Sequence, residues 1–138
     1  MNFYILFFTI FAKILCSQDY FQQDVSYEIS VELNDSSHTL SCYEKLIYTN
    51  NSNDTLNYIW FHIWPNAYKN DSTALAKQFI RLGNTKFKYS KEKDRGYIDS
   101  LNFSIDGEKT KWDYHPEWID VIKVFLPNPL KPGKSVKI

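Results

Sequence analysis

The chain has 138 residues, with sixteen Lys and Arg against sixteen Asp and Glu, so its formal net charge is zero. Hydrophobic residues make up 43% and aromatic residues 17%, which fits one folded domain rich in β-structure. The same figures exclude a disordered tail and a polybasic nucleic-acid binder, and two cysteines exclude a disulfide-stapled mini-domain.

The N-terminal region stands apart. Phe3 to Phe11 is a nearly unbroken apolar run, and Ala12, Ile14 and Leu15 extend it past Lys13. It is shorter than the roughly 20 apolar residues that a spanning helix needs. It predicts a signal peptide over residues 1–17, processed near Ser17 or Gln18, with the β-rich domain occupying 18–138. The protein is then exported, to a periplasm, a cell surface or the medium, with no stable membrane insertion after cleavage. A lipidated or uncleaved anchor, or a buried first strand or helix, are the alternatives. Lys13 argues against lipidation at Cys16, because it stands where a lipoprotein signal has an apolar residue. Cleavage leaves Cys42 alone; its neighbours Leu40, Tyr43 and Leu46 mark it as a small buried hydrophobe.

Strand patterns follow in succession. Val25, Tyr27, Ile29, Val31 and Leu33 alternate with Ser26, Glu28, Ser30 and Glu32, which predicts a strand with one buried face. Asn34-Asp35-Ser36-Ser37 supplies a turn, and Thr39 to Thr49 a second strand. After the turn cluster Asn50 to Asp54, Leu56 to Trp64 is apolar at both parities. This predicts a central strand covered on both sides and ended by Pro65. Leu75, Phe79 and Leu82 recur at helical spacing, predicting a helix over 72–82, capped by Asp71 or Ser72 and stopped by Gly83. Residues 84–96 are charged and aperiodic, as in a surface loop. Leu101, Phe103 and Ile105 resume strand character, and Asp106-Gly107 is a strong hairpin signal. Strands are also expected over Thr110 to Tyr114, Ile119 to Leu126 and from Ser135, with Pro127 to Gly133 as a turn. The sum is a mainly β fold: an antiparallel β-sandwich or saddle-like domain with one short helix. The strand beginning at Ser135 has no turn or polar tail before Ile138, so a chain truncated at its C-terminus is expected. No internal repeat is visible, which gives no support to a tandem Ig-like spacer.

Catalytic chemistry is not written in these residues. His38, His62 and His115 share no ligand spacing with one another or with Cys42, and no H-E-x-x-H occurs, so no metal ligand is assigned. There is no nucleophile elbow and no glycine-rich phosphate loop. Asp94, Asp99 and Glu117 are read as solvated loop carboxylates, and no catalytic or cofactor-binding residue is assigned. His62, alternating with Trp60 and Trp64, is read as a hydrogen-bonded core or interface histidine. Trp60, Phe61, Trp64 and Tyr68 form one aromatic group, and Trp112, Tyr114 and Trp118 another. Buried, they are core; exposed, they are a stacking platform for sugars or peptides, and alternation favours core. Five N-x-S/T sequons begin at Asn34, Asn50, Asn53, Asn70 and Asn102; they matter only in a host that glycosylates them.

Three series carry a resemblance. They are Tyr27-x-Ile29-x-Val31-x-Leu33, then Tyr48-x-Asn50-Asn51-Ser52-x-Asp54-x-Leu56, then Trp60-Phe61-His62-Ile63-Trp64-Pro65-Asn66-Ala67-Tyr68. In that order and spacing the chain resembles the N-terminal domain of M1-family zinc metallopeptidases, of the exported type found in Bacteroidetes. Asp94-Arg95-Gly96-Tyr97-Ile98 and Pro129-Leu130-Lys131-Pro132-Gly133 fit the same pattern, so the likeness spans Val25 to Ile138. The resemblance implies a non-catalytic β-domain that packs against its own catalytic domain and walls the substrate cleft of an aminopeptidase. It places the zinc, its H-E-x-x-H ligands and the peptide-binding residues outside this chain, so no cofactor is expected here. The alternative is a secreted, non-enzymatic β-sandwich that binds carbohydrate or peptide.

Overall fold

A computed structural model describes residues 20–138. The signal peptide expected over residues 1–17, with Cys16, lies outside the described residues. Of those described, 41% are in strands and 13% are helical, so the fold is mainly β, with antiparallel sheets and one α-helix. The strands are β1 (Asp24–Asn34), β2 (Thr39–Thr49), β3 (Leu56–His62), β4 (Ser104–Ile105), β5 (Glu108–Lys109), β6 (Trp112–Tyr114), β7 (Val121–Leu130) and β8 (Ser135–Lys137). One sheet has the order β1-β2-β8, a second β3-β7-β6, and β4-β5 is a small hairpin. The architecture is sandwich-like.

The core lies between the inner face of β3-β7-β6 and the root of the first sheet. Ile59, Ile122 and Val124 meet Ile63, Ile105, Leu130 and Val136, with Tyr48, Phe61, Phe103 and Trp112 packed around them. Ile122 and Val124 are fully buried. Each contributes about 1.5–3 kcal/mol by leaving water. Trp112↔Val124↔Ile59 and Tyr114↔Ile122↔Phe61 form cross-strand rows on this inner face.

The β1–β2 hairpin departs from its expected burial. Its pairing runs unbroken from Asp24↔Thr49 to Asn34↔Thr39. Only its root reaches the core, through Leu46 and Tyr48, where β8 adds to β2. Beyond that root no layer of the described residues lies across it, and Tyr27, Ile29, Val31, Leu33 and Leu40 are each more than half exposed. Cys42 is exposed on the same face, not buried as its apolar neighbours suggested.

β3 also departs from expectation. It is an edge strand, covered on one face only, and it stops at His62. The chain then tightens into a 3-10 turn, Trp64–Tyr68, with Pro65 at its start, where the missing N–H costs nothing. Two of the outer rings of β3, Tyr58 and Trp60, pack on each other edge to face at 5.7 Å.

The helix α1 spans Ala74–Arg81, inside the expected range. Its cap is Thr73 rather than Asp71 or Ser72: the hydroxyl accepts from the Ala76 N–H at 3.2 Å and donates to the Ala67 carbonyl at 2.7 Å. At the other end, Gly83 and Asn84 donate back to Ile80 and Phe79 with Gly83 at φ 77°, a Schellman stop. Asp106 and Gly107, at φ 51° and 90°, make the expected type I′ turn. β7 runs through Pro127 and Pro129, where a turn was expected. Pairing jumps from Tyr58↔Phe125 to Leu56↔Leu130, so the prolines occupy a bulge that asks no ladder bond of them. The turn itself falls at Lys131 to Gly133.

Candidate functional site

The outer face of β3-β7-β6 gathers the chemistry-bearing side chains. Tyr58, Trp60 and His62 of β3 lie opposite Phe125, Lys123 and Val121 of β7, and Asp113 of β6 pairs with Lys123. The Lys123 ammonium sits 3.9 Å from the Tyr58 ring centre, 5.6 Å from Trp60 and 5.3 Å from Phe125. The negative ring faces hold this cation, at about 0.5–2 kcal/mol per good contact. Trp60 packs on His115 at 5.3 Å, and His115 stacks on Trp118 at 4.3 Å with the rings nearly parallel. The His115 Nδ1 accepts from the Glu117 N–H. His62 meets Trp64 edge-on at 4.6 Å, and its Nε2 lies 2.9 Å from the Asp120 carboxylate.

Core and platform therefore divide the aromatics in a way neither sequence cluster matched. Phe61, Phe103 and Trp112 form the inner chain of rings. Trp60, Trp64 and Trp118 face outward and are 45%, 53% and 47% exposed. Trp60 and Trp118, assigned to different clusters by sequence distance, are bridged by His115. His62 is a surface histidine held by a carboxylate, not a core one.

The remaining candidates stay scattered. His38 lies in the β1–β2 turn at φ 53°. Asp94, Asp99 and Glu117 stand on separate exposed segments. Among the described residues no group of three or more His, Cys, Asp or Glu is arranged to hold a metal ion. These residues do not fit a zinc site. Nor is any described helix long and apolar enough to cross a membrane.

Two residues to which the sequence assigned no site role are fully buried: Asn50, read as part of a turn cluster, and Asn66. The Asn50 amide donates to the Asp54 and Leu130 carbonyls at 2.8 and 2.9 Å, and its oxygen accepts from the Ser52 N–H and hydroxyl. Its backbone closes on Lys134 and Gly133. The Asn66 oxygen accepts from the Ile98 N–H at 2.8 Å, and its amide donates to the Ile119 carbonyl at 3.2 Å. A side chain with two donors and an acceptor can thus tie three segments at once. The available signal was an Asn inside an apolar run, Trp-Pro-Asn-Ala-Tyr. Burial also removes Asn50 as a glycan acceptor in the folded chain, whereas Asn34, Asn53 and Asn102 are exposed.

The fold and this surface define a mainly β, sandwich-like domain with an aromatic outer face. No protein-family model matches the chain, and neither the curated proteins nor the solved structures contain a match to it.

Proposed function

We propose that this chain is the N-terminal, non-catalytic β-domain of an exported M1-type zinc metallopeptidase. It packs against its own catalytic domain and forms one wall of the cleft that receives the peptide substrate. The observation that carries this reading is the pairing of the resembling segments by the two buried asparagines. Asn66, inside Trp60 to Tyr68, bonds the segment that ends at Ile98. Asn50, inside Tyr48 to Leu56, bonds the segment Pro129 to Gly133. Segments that carry the resemblance and lie far apart in sequence are thus structural partners. The half-exposed rings of Trp60 and Trp64, fixed by the Pro65 turn, supply the apolar surface for docking. Zinc and the hydrolytic groups belong to the catalytic domain in this reading.

The test is to read the coding sequence beyond Ile138. An H-E-x-x-H motif followed by a distant Glu supports the reading, and an aminopeptidase assay on that longer protein should then succeed. Trp64→Ala in that protein should loosen docking; unchanged melting and activity would remove Trp64 from the interface. A stop codon directly after Ile138 overturns the peptidase reading for this product.

The exposed rings on a β-face favour one second reading, a secreted module that binds carbohydrate or peptide. Against it, Lys123 already covers the Tyr58 ring, and His115 and Trp118 cover each other. Binding on a glycan or peptide array, lost in Trp60→Ala, would restore that reading.

A further inference from the structure

The two edges of the β1-β2-β8 sheet are treated differently. At β8, Asp106 closes the edge: its N–H donates to the Lys137 carbonyl at 2.8 Å, and its carboxylate accepts the Lys137 N–H at 3.0 Å. At β1, eleven residues present an outer edge with no backbone partner among the described residues. Exposed edges are usually blunted by Pro, charged side chains (Lys above all), a bulge or short length. β1 has no Pro and no Lys, and its pairing with β2 has no bulge; its only charges are the carboxylates of Asp24, Glu28 and Glu32.

The charge pattern of β1 identifies what fits this edge. Laid antiparallel on a second copy of itself at full overlap, β1 centres on Ile29. Val25 then meets Leu33, Tyr27 meets Val31, and Ile29 meets itself. On the other face Asp24 meets Asn34, Ser26 meets Glu32, and Glu28 meets Ser30. No carboxylate faces another. Recentring on Glu28 sets Glu28 against Glu28 and Asp24 against Glu32, and recentring on Ser30 sets Glu28 against Glu32; centring on Tyr27 or Val31 avoids facing carboxylates but pairs only seven residues of the strand instead of eleven. Like charges directly opposite destabilise a pair, and any slip that exchanges the faces sets apolar against polar.

We infer that β1 is a self-pairing edge, through which two copies of this chain join about a two-fold axis at Ile29. The product is a continuous six-stranded sheet in the order β8-β2-β1-β1-β2-β8, with an isologous contact as two-fold symmetry requires. The inference is independent of the peptidase reading. It can fail while that reading stands, and the reverse.

The test uses the full chain in a Cys16→Ser, Cys42→Ser background, with far-UV circular dichroism confirming folding. Light scattering should give twice the chain mass. Mild oxidation should cross-link Ile29→Cys into a covalent dimer but not Val31→Cys, whose partner is Tyr27. Ile29→Lys, at an exposed position, should halve the mass by setting two ammonium groups together. Leu40→Lys lies on the same face but one strand inside the edge, so it should leave the dimer intact. A monomer at every concentration overturns the proposal. So does a dimer dissolved by Leu40→Lys and spared by Ile29→Lys, which would mean stacking of faces. Equal cross-linking at Val31 overturns the register.

Discussion

Asn66 shows how much one buried amide can hold. Asn66→Ala leaves the Ile98 N–H and the Ile119 carbonyl without their side-chain partner beside a fully buried position. An unsatisfied buried group costs about 1–3 kcal/mol, so a urea melt should lose about 2–4 kcal/mol. A loss below about 0.5 kcal/mol would mean that water replaces the amide. Tyr48 carries a pH dependence. Burial pushes its hydroxyl above the ordinary 10.0, because ionisation is disfavoured away from water. A raised folded value means the folded state holds its proton longer, so the associated stability is complete below the unfolded value and is lost as pH rises through the folded one. Tyr48→Phe should therefore match the wild type at neutral pH and unfold at higher pH in an alkaline titration. Coincident alkaline midpoints would show that Tyr48 does not drive that transition. On the hairpin, Lys45 lowers the Glu28 carboxyl through a 2.9 Å hydrogen bond, and Glu28 raises the Lys45 amine. The sign makes this pair complete between the two titrations and lost in strong acid or strong alkali. Both groups are on the surface, where water screens them, so Lys45→Ala should leave the neutral-pH urea midpoint unchanged.

Among the elements, the β4–β5 hairpin is specified by its turn. Gly107 at φ 90° is in a region that a side chain strains, with open space around it. Gly107→Ala should cost about 1–2 kcal/mol from backbone strain alone, read as a lower melting temperature. Because Asp106 also closes β8, hydrogen exchange at Lys137 should quicken in the same variant. The element types were legible wherever one local signal dominated: period-2 alternation for β1, helical spacing plus Gly83 for α1, Asp-Gly for the hairpin. They were not legible where pairing overrode local chemistry. Pro127 and Pro129 signal a turn in sequence, yet they lie within β7 because the partner strand skips past them. The helix cap moved from Asp71 or Ser72 to Thr73 because only Thr73 also reaches the Ala67 carbonyl.

In the whole molecule, burial separates two kinds of apolar residue that composition treats alike. Ile122 is fully buried, and Ile122→Ala should cost about 2–5 kcal/mol by opening a cavity. Ile29 is 58% exposed, and Ile29→Ala should stay within about 0.5 kcal/mol of wild type by urea melt at concentrations where the chain is monomeric. Equal losses at the two positions would show that the hairpin face is covered in solution.

The sequence by itself determined the β-class, the helix α1, the type I′ turn and the alternation of β1, because these follow from spacing and from local backbone preference. Which face of a strand is covered was decided only in three dimensions. The alternation of β1 marks an apolar side without saying what lies across it, and here nothing among the described residues does. The aromatic runs likewise divide into core and surface only when β3 and β7 pair. The two buried asparagines gain their partners from segments far along the chain, since a hydrogen bond across such distances leaves no mark in local composition.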